Sequence, residues 1–205
     1  MNKSEKFWDR MAKYLDRVER KDEATNIKII EKTRKYLKIN DTVLDYGCGT
    51  GTAAIEIAGS VTTVNGIDIS SKMIEAAKGK TGERKVKNID FVQTTIFDAK
   101  LQKGSFDVIL CFYLLHLVED TPKVMQRINE LLKPGGLIIS ATPCMRGTFL
   151  GVLLSPVSKI GLIPQITSFK ISELEDLMTD GNFEIVETEC LHKSGQLYFI
   201  VAKKI

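Results

Sequence analysis

The stretch Val43-Leu44-Asp45-Tyr46-Gly47-Cys48-Gly49-Thr50-Gly51 constrains this chain most. A short apolar run ends in an acid, and glycines follow at alternate positions. Thr52-Ala53-Ala54-Ile55-Glu56-Ile57-Ala58 then reads as helix. Strand, tight glycine turn and helix start are the opening unit of an α/β nucleotide-type fold. Glycine suits a turn with positive φ, or a backbone that a ligand approaches closely. Gly49-Thr50-Gly51-Thr52-Ala53-Ala54 also fits G-x-G-x-x-A, the dinucleotide fingerprint. Asp45 speaks against that ligand, because a carboxylate at the strand end repels a pyrophosphate and attracts an ammonium or sulfonium.

The next strand, Val61 to Ile67, leads to Asp68, Ile69 and Ser70. An acid at this strand end accepts both hydroxyls of a ribose, and Ile69 packs on one adenine face. The competing reading makes this segment a cap, with Ser70 or Ser71 opening the following helix. Met73, on that helix's first turn, either touches the adenine or fills the core.

D-x-G-x-G-x-G followed by a second acid resembles the class I S-adenosylmethionine (SAM)-dependent methyltransferases, of the small-molecule type that acts on ubiquinone and menaquinone precursors. Phe106-Asp107 opening the fourth strand, Leu132-Lys133-Pro134-Gly135-Gly136 before the fifth, and a closing hairpin of Glu184–Leu191 and Gln196–Ala202 extend the resemblance over residues 40–205. It implies a three-layer α/β, Rossmann-like domain. Its sheet is mostly parallel and seven-stranded, in order 3-2-1-4-5-7-6, with an antiparallel C-terminal strand. It also implies SAM as methyl donor and S-adenosylhomocysteine as product. Asp45, Gly47, Cys48, Gly49 and Gly51 then border the methionine half, Asp68 the ribose, and Ile69, Met73 and Cys111 complete the cofactor wall. The family's adenine-binding acid is replaced by Thr95, with Ile96 beside it and Asp98 as an alternative. His116, after the fourth strand, and Tyr14 are the acceptor-side and catalytic candidates. His116 is either a proton acceptor or a packing histidine.

Residues 4–19 carry Phe7, Met11, Tyr14, Leu15 and Val18 at helical spacing, and residues 23–38 read as a second helix with Ile27, Ile30 and Leu37 inward. Residues 1–40 are packing helices, or a lid of the kind that Phe7-Trp8-Asp9-Arg10 resembles. Residues 145–170 are apolar and broken by glycine and proline, and form either a second lid or core cover. The whole of 1–205 is expected to be one domain.

A net charge of +3 gives no electrostatic case for nucleic acid. The absence of N/D-P-P-Y/F after the fourth strand lowers the nucleobase reading further. Four dispersed cysteines and a charged N-terminus without an apolar run predict reduced thiols, no metal site and a cytoplasmic protein. Membrane contact is at most peripheral, and oligomeric state is not legible. The expected function is methyl transfer to a small, rather apolar acceptor: a quinone, lipid or thiol. The alternatives are a nicotinamide-dependent oxidoreductase and a non-catalytic SAM-binding or partner-activating subunit.

Overall fold

The computed structural model describes residues 3–144, 166–192 and 196–205. Most of the 145–170 segment and the hairpin turn at 193–195 lie outside the described residues, as does the side chain of Val18. Seven strands form one sheet: β1 (Thr42–Tyr46), β2 (Thr63–Asp68), β3 (Ile89–Gln93), β4 (Phe106–Phe112), β5 (Leu132–Pro143), β6 (Phe183–His192) and β7 (Leu197–Lys204). Their order is 3-2-1-4-5-7-6, as expected. β3, β2, β1, β4 and β5 pair parallel, and β7 runs antiparallel to both β5 and β6.

The helices are α1 (Lys3–Lys21), α2 (Glu23–Arg34), α3 (Thr52–Ile57), α4 (Ser71–Arg84), α5 (Thr121–Leu131) and α6 (Ile171–Asp180). Alternation along the central strands sends successive side chains to opposite faces, which creates two cores. Ile109, Ile138 and Ile200 join Val124 and Ile128 of α5 and Leu174 and Met178 of α6 on one face. Val108, Leu110, Ile139 and Val201 join Ile29 and Ile30 of α2, Ile57 of α3 and Ala77 of α4 on the other.

Local chemistry sets most element ends. Ser70 caps α4 by accepting from Met73 N at 3.1 Å, and Asp120 caps α5 by accepting from Lys123 N at 3.1 Å. Asp107 is structural: its Oδ2 accepts from Thr42 N (2.8 Å) and from Lys133 Nζ (2.7 Å). The first turn of α6 is closed by Lys170 N donating to Glu173 Oε2 at 2.9 Å. Two sequence expectations need correction. Ile27 is 50% exposed, because the buried face of α2 is set by Ile29 and Ile30. The Pro134-Gly135-Gly136 turn is absorbed into β5, where the register against β4 shifts between Phe106 and Val108. No helix among the described residues is long and apolar enough to cross a membrane.

Candidate active site

The site begins where β1 ends. Gly47, Gly49 and Gly51 all adopt positive φ, at +72°, +53° and +80°. Gly47 N and Cys48 N both donate to Ile67 O, at 2.8 and 3.0 Å, so the turn is pinned to the end of β2. A Cβ on Gly47 would lie 2.7 Å from Leu114 Cδ1, and one on Gly49 would lie 3.0 Å from Leu15 Cδ2. The glycines therefore let the β4 exit and α1 close directly over the turn. Lys80 Nζ donates to Thr50 Oγ1 at 2.7 Å and braces the loop from α4.

Two acids flank the turn. Asp45 is 2% exposed and lines a cavity of about 700 Å³. Asp68 lines the same cavity; its Oδ2 accepts from Gly49 N at 3.1 Å and its Oδ1 from Ser70 N at 2.8 Å. Burial raises the Asp68 pKa above the usual carboxylate range, and the two backbone hydrogen bonds oppose that rise. Ser70 caps α4, as the capping reading expects, and Asp68 stands on the cavity wall. Burial, reinforced by Asp45, pushes the Cys48 and Cys111 thiols up, so neither is a nucleophile at neutral pH. Burial likewise pushes Cys144 up to about 12.

Sheet order lays the cavity out. Thr95 follows β3, Asp68 ends β2, Asp45 lies in β1, and Phe112, Tyr113 and Leu114 leave β4. Ile69 and Met73 complete the wall near Asp68. Thr95 lines the cavity, whereas Asp98 is turned into its own loop, accepting from Thr94 Oγ1 (2.7 Å) and Lys100 N (2.9 Å). Arg127 holds that loop in place, donating to Ile96 O at 3.1 Å and Leu101 O at 2.8 Å. Across from these strands, α1 contributes Ser4, Trp8 and Leu15, and α2 contributes Asn26, Ile29 and Ile30.

Five residues singled out in the sequence are not among the cavity-lining residues. Gly51 faces inward, where a Cβ would lie 2.6 Å from Phe91 Cζ, so its role is packing under the turn. Ile96 and Cys111 are fully buried in the core on the α5 side. Tyr14 is 53% exposed, because the face of α1 that meets the cavity runs through Ser4, Trp8 and Leu15, one residue away around the helix. His116 lies in the Leu115–Leu117 3-10 turn and is not among the cavity-lining residues. Its Nδ1 is buried with no hydrogen-bond partner among the described residues, and burial lowers its pKa to about 4. Trp8, Leu15, Asn26, Phe97, Tyr113 and Lys123 were missed. Two of these carried a signal in the sequence: Leu15 on the apolar stripe of α1, and Trp8 as the single tryptophan, within Phe7-Trp8-Asp9-Arg10.

A family model described as a methyltransferase domain matches residues 37–198. The chain belongs to the class I SAM-dependent methyltransferase family. A demethylmenaquinone methyltransferase of Lactococcus lactis is 39% identical over 101 residues, covering 48% of this methyltransferase and 40% of that relative. A ubiquinone biosynthesis O-methyltransferase of Rickettsia canadensis is 33% identical over 172 residues, covering 80% of this chain and 72% of the relative. The first match thus spans less than half of that relative's length. Among solved structures, a SAM-dependent methyltransferase of Methanosarcina mazei superposes with a TM-score of 0.68 at 24% identity, over 83% of this chain and 95% of that one. That likeness shows the fold.

SAM is the methyl donor of this family, and the residues present fit it. A nearly buried carboxylate (Asp45) suits the ammonium, Gly47 and Gly49 put backbone without a side chain on the cavity wall, and a second carboxylate (Asp68) stands on the same wall. The cavity volume lies within the ~300–1,000 Å³ range of small-molecule sites.

Proposed function

We propose that this methyltransferase moves the methyl group of SAM onto a small, largely apolar acceptor of quinol type. The observation that carries the reading is the junction at Gly47. The donor turn and its acids meet Leu114 there, and the wall continues as Phe112, Leu117, Ile29 and Ile30. An apolar surface beside the donor turn suits an aromatic ring or prenyl chain and excludes water. The names of the relatives, a ubiquinone-pathway and a menaquinone-pathway methyltransferase, point the same way.

When bound, SAM supplies a methyl group already activated by the sulfonium. The protein's task is therefore alignment and exclusion of water, and orientation alone supplies several kcal/mol. In this reading Asp45 faces the ammonium, Gly47 and Gly49 border the methionine portion, and Asp68 takes the ribose hydroxyls. Ile69 and Met73 flank the adenine, with Thr95 at its edge. The α1 helix is a lid over this end. No general base is assigned, since neither His116 nor Tyr14 reaches the lining. A cytoplasmic location, where the four free cysteines stay reduced, belongs to the same reading.

Calorimetry against SAM and NAD, followed by an S-adenosylhomocysteine-release assay with quinols, thiols and lipids, tests it. SAM binding and quinol-dependent release are expected. NAD binding without SAM binding overturns the reading. SAM binding with no release from any acceptor assigns the chain to a non-catalytic or partner-activated role.

A further inference from the structure

We infer that Tyr113 and Asn26 form the polar contact that recognises an oxygen substituent of the acceptor. The inference rests on the methyl-transfer reading of the same cavity. Tyr113 directly follows β4 and has φ +52°. That left-handed conformation costs free energy for any residue with a Cβ, and tyrosine lacks the short polar side chain that lets asparagine adopt it. Such strain persists where the surroundings hold it, and it concentrates at functional sites. Here the backbone is held by Tyr113 N donating to Ala141 O at 2.8 Å on the neighbouring strand. The same turn brings Leu114 onto Gly47, so Tyr113 stands at the junction of donor turn and apolar wall.

Opposite it, on α2, is Asn26. The Tyr113 hydroxyl donates to Asn26 Oδ1 at 3.3 Å. Both side chains line the cavity, among Ile29, Ile30, Phe112 and Leu117. A phenol oxygen accepts a hydrogen bond from an acceptor hydroxyl, and a carboxamide N–H donates one to a carbonyl or ether oxygen. A purely hydrocarbon acceptor packed over this pair would desolvate it without compensation. Sites built to hydrogen-bond a substrate oxygen discriminate sharply against analogues that lack it. The geometry is firm because α2 is anchored on both sides. Ile29 and Ile30 are in the core, and Lys32 bonds Glu187 and Glu189 of β6.

Trp8, the sole tryptophan, lines the cavity, so its emission reports occupancy directly. The full-length chain is titrated with 4-butylcatechol and with butylbenzene, in wild type, Tyr113→Phe and Asn26→Leu, and SAM affinity is measured in parallel. Each substitution is expected to shift the catechol-to-butylbenzene affinity ratio against the catechol by about twofold to twelvefold, the span of one neutral hydrogen bond, with SAM affinity and Tm unchanged. Failure of the catechol to give a saturable signal, an unchanged ratio in both variants, or an equal loss of SAM affinity overturns the inference. The binding ratio does not depend on turnover. Absence of S-adenosylhomocysteine release therefore sinks the methyl-transfer reading without touching this result.

Discussion

His116 shows what burial does to one side chain. Its ring is largely desolvated, its Nδ1 has no partner among the described residues, and its pKa falls from 6.5 to about 4. The unfolded chain thus binds this proton more tightly than the folded one. The stability from burying a neutral imidazole is complete above pH 6.5 and is lost as pH falls toward 4. The loss by the acid end is up to about 3 kcal/mol. His116→Leu is expected to flatten the fall in Tm between those limits; parallel curves for the two proteins would refute the assignment. The sequence placed His116 correctly after β4, but its orientation was not legible, because a single turn of 3-10 helix decides whether it meets the cavity or the core. Asp45 and Asp68 were legible because each ends a strand, and strand ends in parallel sheets open onto the ligand side.

At the scale of elements, side-chain bonds from its first turns hold α1 over the cavity. Asp9 Oδ1 accepts from Ser70 Oγ at 2.6 Å and from Lys72 N at 3.2 Å, and Glu5 Oε1 accepts from Gln93 Nε2 at 3.2 Å. The Ser70 bond holds the Asp9 carboxyl below its ordinary pKa, so it is ionised at neutral pH. Asp9 therefore adds a second cap to α4, next to the backbone that binds Asp68. Asp9→Ala is expected to weaken SAM binding about twofold to thirtyfold, the range of a lost capping interaction, and to speed amide exchange in α1. Wild-type affinity together with wild-type exchange would show that the bond does not latch the helix. The amphipathic stripe announced that α1 packs against something. Which of its residues meet the cavity depends on its rotation, which Asp9 and Glu5 fix through partners far away in sequence.

Across the whole molecule, α2 is tied to the sheet's edge strand by charge. Lys28 and Lys32 each donate to Glu189 at 2.6 Å, and Lys32 and Tyr36 both bond Glu187. Burial pulls the Lys32 pKa down, but its bonds to the two glutamates outweigh that and leave it raised. Lys28 first, then Lys32, depress Glu189 from 4.5 to about 2. A depressed carboxyl contributes stability that is full above its unfolded pKa and is lost as pH falls through its folded one. The acid unfolding of the wild type is therefore expected to steepen between pH 4.5 and about 2. Lys32→Met is expected to weaken that dependence and to lower stability at pH 7 by about 1–3 kcal/mol, measured by urea denaturation. An identical pH profile in the variant would remove the network from the stability account.

The glycine turn, the strand order (through the family resemblance) and the placement of Asp45 and Asp68 were legible in the residues alone. These follow from local rules: glycine alone takes positive φ cheaply, and apolar runs bounded by turns make strands. Tertiary structure alone decided that Gly51 packs on Phe91, that Gly66 lies where a Cβ would be 2.3 Å from the same ring, and that Ile96 and Cys111 belong to the core. It also decided that Trp8 and Leu15, rather than Tyr14, face the cavity, and that Asn26 meets Tyr113. The physical reason is the same in each case. A helix's rotation and a strand's exit are chosen by whichever distant segment packs against them, and no local pattern records that choice.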